Sequence, residues 1–311
     1  MELLRDSKVY IVEGGTTYRL HVQNIEFNQA FKQESYETKT LHDQTSWYQG
    51  SSITTANNAN FSISIHMVDE SSTHQHKLID LLLNTSTNNT LKTFTLYIDP
   101  QKEDKMYRLD SCIITSGPFN MPRGGIMTAD FEGQGTKLTR IAANSVTLTD
   151  NSYTASPAFA VSRRVDVTIN SKALENILGV TLEVQNDVEW IKSKTLQSSL
   201  SVSSATNSIF PSSFVLAKRT VAGNITQYVN KRVTQPLQAY YDQSDDNVQT
   251  WKENIPIHIK AGLASSNYQL NAQLTPCSYT NRVNPTEAFT QAYDFRLLPT
   301  ATALTTLITT T

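Results

Sequence analysis

Apolar residues recur at every second position in several short stretches of this chain, the spacing that gives a strand one buried face. Phe61, Ile63, Ile65 and Met67 alternate with Ser62, Ser64 and His66, and the same period appears in Val180, Leu182 and Val184 and in Ile255, Ile257 and Ile259. Shorter strand-like runs fill the first half at Lys8 to Val12, Thr17 to Val22, Ile25 to Phe31, Leu91 to Ile98, Tyr107 to Thr115 and Ile126 to Glu132. The second half continues with Arg164 to Ile169, Val180 to Trp190, Phe214 to Leu216, Ile225 to Val229, Tyr268 to Leu274 and Phe289 to Leu298. Only one segment reads as a helix. Leu78, Ile79, Leu81, Leu82 and Leu83 cluster on the last turns of a run that Ser71 or Ser72 can cap and Asn84 to Asn89 stops, which predicts a helix over 71–83 covering a sheet face or end.

Turn-forming residues punctuate these runs. Glu13-Gly14-Gly15 predicts a tight hairpin, and Val221-Ala222-Gly223-Asn224 predicts another between Phe214 to Leu216 and Ile225 to Val229. Asp99-Pro100 and Gly117-Pro118 read as breaks, Gly124-Gly125 and Gly133-x-Gly135 as the frame of the strand Ile126 to Glu132, and Pro256 as an edge or irregular start. Lys32 to Asn60 is polar, with only Tyr36, Leu41, Trp47, Tyr48 and Ile53 as bulky apolar anchors, which implies a long loop or extended hairpin arm. Gln238 to Glu253 reads as a second arm, and Ser198 to Ser208 as polar and exposed.

A chain of 311 residues exceeds the size at which one core stops growing, so two domains are expected. The fold class is mainly β: two β-sandwich or β-barrel-like domains, the first with one flanking helix. Their bounds are 1–141, with the arm over 32–60 and the helix over 71–83, and 161–299, with a linker over 142–160 and a flexible tail over 300–311. In that tail Leu304, Leu307 and Ile308 are the residues able to dock on a partner.

The halves echo one another. Val22 to Phe27 resembles Val184 to Trp190, Met106 to Asp110 resembles Asn267 to Asn271, Asn60 to Ile65 resembles Asn254 to Ile259, and Ala129 to Phe131 resembles Tyr293 to Phe295. Four matches in one order point to a duplicated domain whose second copy lacks the helix; two unrelated β-sandwich domains are the alternative.

Composition narrows the function. Apolar residues make up 39% and charged residues 17%, so the surface is rich in neutral Ser, Thr, Asn and Gln. A formal charge of -2 and the lack of any Lys/Arg cluster argue against sequence-specific nucleic-acid binding. Cys112 and Cys277 are too few for a disulfide framework and read as free thiols. The charged start of the chain and the absence of a long apolar run predict a soluble protein made in the cytoplasm.

Chemistry finds little to use. His66, Asp69, His74 and His76 form the best metal candidate, but on a helix His74 and His76 point about 200° apart, so the four are read as polar side chains facing water. No Gly-x-Ser-x-Gly elbow is present, neither cysteine has an identifiable base, and the carboxylate pairs Glu34/Glu37 and Asp245/Asp246 lie in polar arms where water keeps them ionised. No catalytic residue, metal or cofactor is assigned. Trp47, Tyr48, Trp190, Tyr240, Tyr241 and Trp251 stand beside the arms, where they could stack on sugars or bases, anchor protein contacts or tie an arm to its own sheet. Tyr36, Leu41, Trp47, Tyr48, Trp190, Tyr240 and Trp251 are the candidate assembly contacts.

The layout resembles the tail tube proteins of tailed bacteriophages and the tube-like proteins of their baseplates: a β domain with one short helix, a long polar arm after the early strands, and a Tyr-x-Leu strand followed by a Gly/Pro loop and a returning strand. The resemblance implies a structural subunit of stacked rings, with neighbouring sheets joined into one barrel around a DNA-conducting channel. Lys32 to Ile53 would be the arm reaching an adjacent ring, Ser198 to Ser208 or Gln238 to Glu253 its substitute, and Phe61 to Met67 and Ile126 to Glu132 parts of the wall. The implied partners are copies of the chain, in a homotrimeric pseudo-hexameric ring or alternatively a homohexamer, together with other tail or baseplate proteins. DNA would be non-specific cargo, no membrane is involved, and the location would be the virion tail. Two other readings stand beside this one: a baseplate or distal tail accessory protein with one ring-forming domain, and a carbohydrate-binding β-sandwich appendage.

Overall fold

The computed structural model describes residues 7–36, 51–67, 74–85, 90–101, 104–149, 164–191, 209–228, 251–262, 268–285 and 289–310. The chain opens on a hairpin of β1 (Lys8–Glu13) and β2 (Thr16–Leu20) turned by Gly14 and Gly15 at φ 56° and 84°. Two left-handed residues make the turn whose twist matches that of paired strands, and glycine adopts them without a Cβ penalty. β3 (Asn24–Tyr36) and β4 (Ser51–His66) then pair antiparallel from Asn24↔Ser64 out to Tyr36↔Ser51. The polar stretch therefore begins and ends as a two-stranded arm. α1 (His74–Leu83) follows, with Leu78, Ile79, Leu81, Leu82 and Leu83 all buried. Its expected first residues, 71–73, lie outside the described residues. β5 (Phe94–Asp99), β6 (Lys105–Pro122), β7 (Thr128–Gly135) and β8 (Lys137–Ala142) complete the first half.

The second half contains β9 (Arg164–Ile169), β10 (Lys172–Ala173), β11 (Ile177–Ile191), β12 (Ser213–Tyr228), β13 (Trp251–Gly262), β14 (Tyr268–Pro285), β15 (Phe289–Leu297), a helical turn α2 (Leu304–Leu307) and β16 (Ile308–Thr309). All pairings are antiparallel, and the two halves pair in one order: β2-β1-β5-β6-β7-β4-β3 in the first, β10-β9-β13-β14-β15-β12-β11 in the second. β8 lies on β6 as β16 lies on β14. β6 joins the halves, because Ser116 to Pro122 along its outer edge pair with Gln185 to Gly179 of β11. One layer is thus an eight-stranded run, β3-β4-β7-β6-β11-β12-β15-β14.

Alternation decides the faces of this layer. Ile25, Phe61, Ile63, Phe131, Phe119, Leu182, Val184, Ile225, Tyr293 and Tyr279 point inward and are buried, whereas Glu26, Ser62, Asp130, Glu132 and Glu183 occupy the opposite face. The buried apolar cluster is continuous through both halves, with α1 packed on the first.

Four sequence expectations are corrected. Gly117-Pro118 is not a break, for β6 runs through both residues; Gly117 lets Leu82 approach, since a Cβ there would lie 2.5 Å from Leu82 Cδ2. Val221 to Asn224 is not a turn but the middle of one strand, β12, where a Cβ on Gly223 would lie 2.2 Å from the Thr181 carbonyl and 2.5 Å from Phe295 Cζ. Gly133 and Gly135 close β7 rather than frame it, and Gly133 leaves room for the ring of Phe61 across the strand pair. The tail over 300–311, expected to be flexible, packs on its own chain as far as it is described, to Thr310: Leu307 and Ile308 are buried and Ile308 pairs with Ala272. One match of the internal echo also moves. β13 takes the place of β5 in the pairing order and β12 that of β4, so Asn254 to Ile259 is not the counterpart of Asn60 to Ile65.

Candidate assembly surface

The candidate contacts fall unevenly. Leu41, Trp47, Tyr48, Tyr240 and Tyr241 lie outside the described residues, as do Asp69, Asp245 and Asp246. Tyr36 ends β3 opposite Ser51, and Trp251 opens β13 opposite Thr280. Trp190 lies near the end of β11. Its indole N–H donates to Gln134 Oε1 at 2.6 Å, and its ring lies 5.4 Å from that of Phe214 on β12. Trp190 therefore ties the β11–β12 hairpin to β7 of the first half, as an anchor within the chain. A groove of about 420 Å³ beside it is lined by Lys92, Ser111, Thr136, Ser213 and Phe214.

The arm base is held in a similar way. The Ala56 N–H donates to the Ile209 carbonyl at 2.8 Å, and Phe31 meets Phe210 edge-on with ring centres 6.3 Å apart. Lys137 Nζ sits 5.0 Å from the Phe210 ring. Phe31 stays 57% exposed, and Val215 and Ile191 on the second hairpin are 52% and 49% exposed, so both hairpins carry large apolar side chains into solvent.

Sequence reasoning missed the polar clamp between the halves. Asn186 occupies an inward position of β11, two residues beyond Val184, and is 2% exposed. Its amide donates to the Ile114 carbonyl at 3.0 Å and to the Leu82 carbonyl at 3.2 Å. Arg219 on β12 donates through Nε to Asn186 Oδ1 at 2.8 Å and through Nη2 to the Leu82 and Leu83 carbonyls at 2.8 and 2.9 Å. Leu82 and Leu83 end α1, where carbonyls lack helical partners and the helix dipole favours a cation. Burial lowers the Arg219 pKa to about 10. An amide interrupting Val180, Leu182, Val184 was the signal available in the sequence.

Chemistry remains sparse. No group of three or more His, Cys, Asp or Glu converges as a metal site among the described residues. Both cysteines are buried free thiols; burial pushes Cys112 well above the usual thiol range and Cys277 up to about 12. Such thiols are inert. No described helix is long and apolar enough to cross a membrane.

The described residues thus form a layered β framework whose distinctive features are strand joints and polar clamps. The chain belongs to the bacteriophage baseplate tube protein family, whose model matches residues 1–306. No curated protein matches it.

Proposed function

We propose that this chain is a tube-forming subunit of a phage tail or baseplate, built from two copies of one β module and closing with two further chains into a pseudo-hexameric ring around a channel. The observation that carries this reading is the β6–β11 joint, through which strands of the two halves pair in one continuous eight-stranded layer.

Four further correspondences support the duplication. The pairing order is the same in each half. β9 and β10 turn through Asn170 and Ser171 at φ 51° and 64°, as β1 and β2 turn through Gly14 and Gly15. Each long hairpin carries a register shift with its extra residue on the second strand, between Gln29 and Phe31 in one and Asp187 and Val188 in the other. The segments between β4 and β5 and between β12 and β13 occupy equivalent places in the order of elements, and 229–250 lie outside the described residues.

Three chains would bring about 24 strands into one wall; at a strand spacing of about 4.8 Å its backbone diameter is about 37 Å before tilt widens it. The wall's polar face carries Glu26, Asp130, Glu132 and Glu183 beside the exposed Arg282 and Arg296, a mixed-charge lining that suits a bore that should not grip phosphates.

Native mass measurement with negative-stain microscopy tests the reading. Three chains of 34.7 kDa form a closed ring of about 104 kDa. A ring of about 208 kDa, or a chain that stays monomeric at high concentration, would sink it.

A further inference from the structure

We infer that the seam between neighbouring chains repeats the internal joint: the free edge of β14 over Asn281 to Asn284 receives Ile25 to Val22 at the start of β3 from the next chain, antiparallel. The inference rests on the ring reading above and adds the seam's residues and register.

Both edges are open among the described residues. Among the described residues β3 pairs with β4 alone, and β13 follows β14 only as far as Trp251↔Thr280, leaving Asn281 to Pro285 with β15 on one side. Rows of unsatisfied backbone donors and acceptors are templates for another strand. The internal joint shows which strand fits: β6 corresponds to β14 and β11 to β3 in the two pairing orders.

Register follows from the matching bulges. Superposing the shift at Gln29/Phe31 on that at Asp187/Val188 sets Glu183 on Glu26 and Thr181 on Asn24. Pairing through β4, β7 and β6 then sets Ser116 on Ser278 and Asn120 on Arg282. Since Thr181 pairs with Asn120 inside the chain, Asn24 should pair with Arg282 between chains.

The side chains agree with this placement. Inside the chain Glu183 reaches diagonally across the joint, its Oε1 3.4 Å from Ser116 Oγ, and Glu26 is the equivalent glutamate at the seam. Arg282 is 70% exposed on the β14 edge, ion-paired with Asp294, and would lie diagonal to the incoming carboxylate of Glu26. A diagonal pair on neighbouring strands is within reach of a long side chain. This seam is shorter than the internal one, because the first residues of β13 already occupy the edge at Tyr279 and Thr280.

Cysteine pairing tests the register on the full chain. Directly opposed residues stand about 4.5 to 5.5 Å apart between Cα atoms, within disulfide range, whereas a partner two residues along is about 8 Å away. Cys112 and Cys277 are fully buried and should not compete. Oxidation of the Asn24→Cys/Arg282→Cys variant should give covalent species that end at three chains, with loss of that ladder in Asn24→Cys/Thr280→Cys. Glu26→Arg should reduce ring yield, and adding Arg282→Glu should restore it. Rings of full mass that never crosslink would overturn the seam and leave the ring intact, equal crosslinking by both cysteine pairs would overturn the register, and a wild-type chain that forms no ring would overturn seam and ring together.

Discussion

Asn186 and Arg219 stand opposite each other on β11 and β12, bonded at 2.8 Å, and each also donates to the carbonyl oxygen of Leu82 at the end of α1. Two polar side chains of the second half thereby close the helix of the first. The clamp fixes how the halves meet beside the β6–β11 joint, and a ring can close only if that angle is reproducible.

Arg219→Met keeps most of the side-chain stem but leaves the Leu83 carbonyl and Asn186 Oδ1 without this donor. It should destabilise the chain by about 2 to 4 kcal/mol, since each buried acceptor left unmade costs its desolvation. Arg219→Lys should recover little, because a single nitrogen cannot occupy both the Nε position that reaches Asn186 and the Nη2 position that reaches the α1 carbonyls. Urea unfolding at neutral pH measures both. A loss within the scatter for surface substitutions would show that the clamp contributes nothing to stability.

Glycine is required for different reasons at Gly223 and Gly14. A Cβ at Gly223 would meet backbone oxygen at 2.2 Å and the Phe295 ring at 2.5 Å, while Gly14 has φ 56° and nothing within 4 Å of the added carbon. Gly223→Ala should therefore cost about 3 kcal/mol or more, through strand displacement, and Gly14→Ala about 1 kcal/mol, through backbone strain. Thermal melts of the two variants side by side should rank them in that order. A reversed ranking would mean that β12 and β15 yield more easily than their spacing suggests.

Acid should loosen α1 from the first hairpin. Lys77 bridges Glu13 at 2.5 Å and Asp80 at 2.9 Å, and Lys92 approaches Asp80 at 3.5 Å. Burial alone would raise the Asp80 pKa, but hydrogen bonds from Lys77 and Asn84, with the charges of Lys77 and Lys92, hold it below its ordinary value of 3.8. A depressed carboxylate contributes stability that is present above its unfolded pKa and lost as pH falls through its folded one. Burial opposes the charge on Lys77, yet its hydrogen bonds to Glu13 and Asp80 raise its pKa above 10.5. That contribution is complete below the unfolded pKa and fades as pH rises through the folded one. Asp80→Asn should thus lower the urea midpoint at pH 7 and leave it nearly unchanged well below pH 3. An equal loss at both values would indicate a packing effect instead of a charge.

Much of the β framework was legible because alternation is a local property. Phe61, Ile63 and Ile65 had to share a face whatever lay above them, and Leu78 to Leu83 had to cover something. Gly14-Gly15 likewise announced its turn through backbone chemistry alone.

What the chain could not declare locally was which backbone passes next to which. Gly223 and Gly117-Pro118 carry the residue types of turns, yet each lies inside a strand, because the constraint at both glycines is a neighbouring atom remote in sequence. Leu307 and Ile308 read locally as the end of a loose tail, yet β14 gives Ile308 an edge to pair with and Leu307 is buried beside it. Asn186 and Arg219, separated by 33 residues, become a clamp only once β11 and β12 register and α1 arrives beneath them. The sequence by itself determined strands and faces, because side-chain period suffices for these. Only the tertiary structure decided the order of the strands, the joint between β6 and β11 and the edges left open, because edge pairing is made by backbone groups that every residue other than proline carries alike.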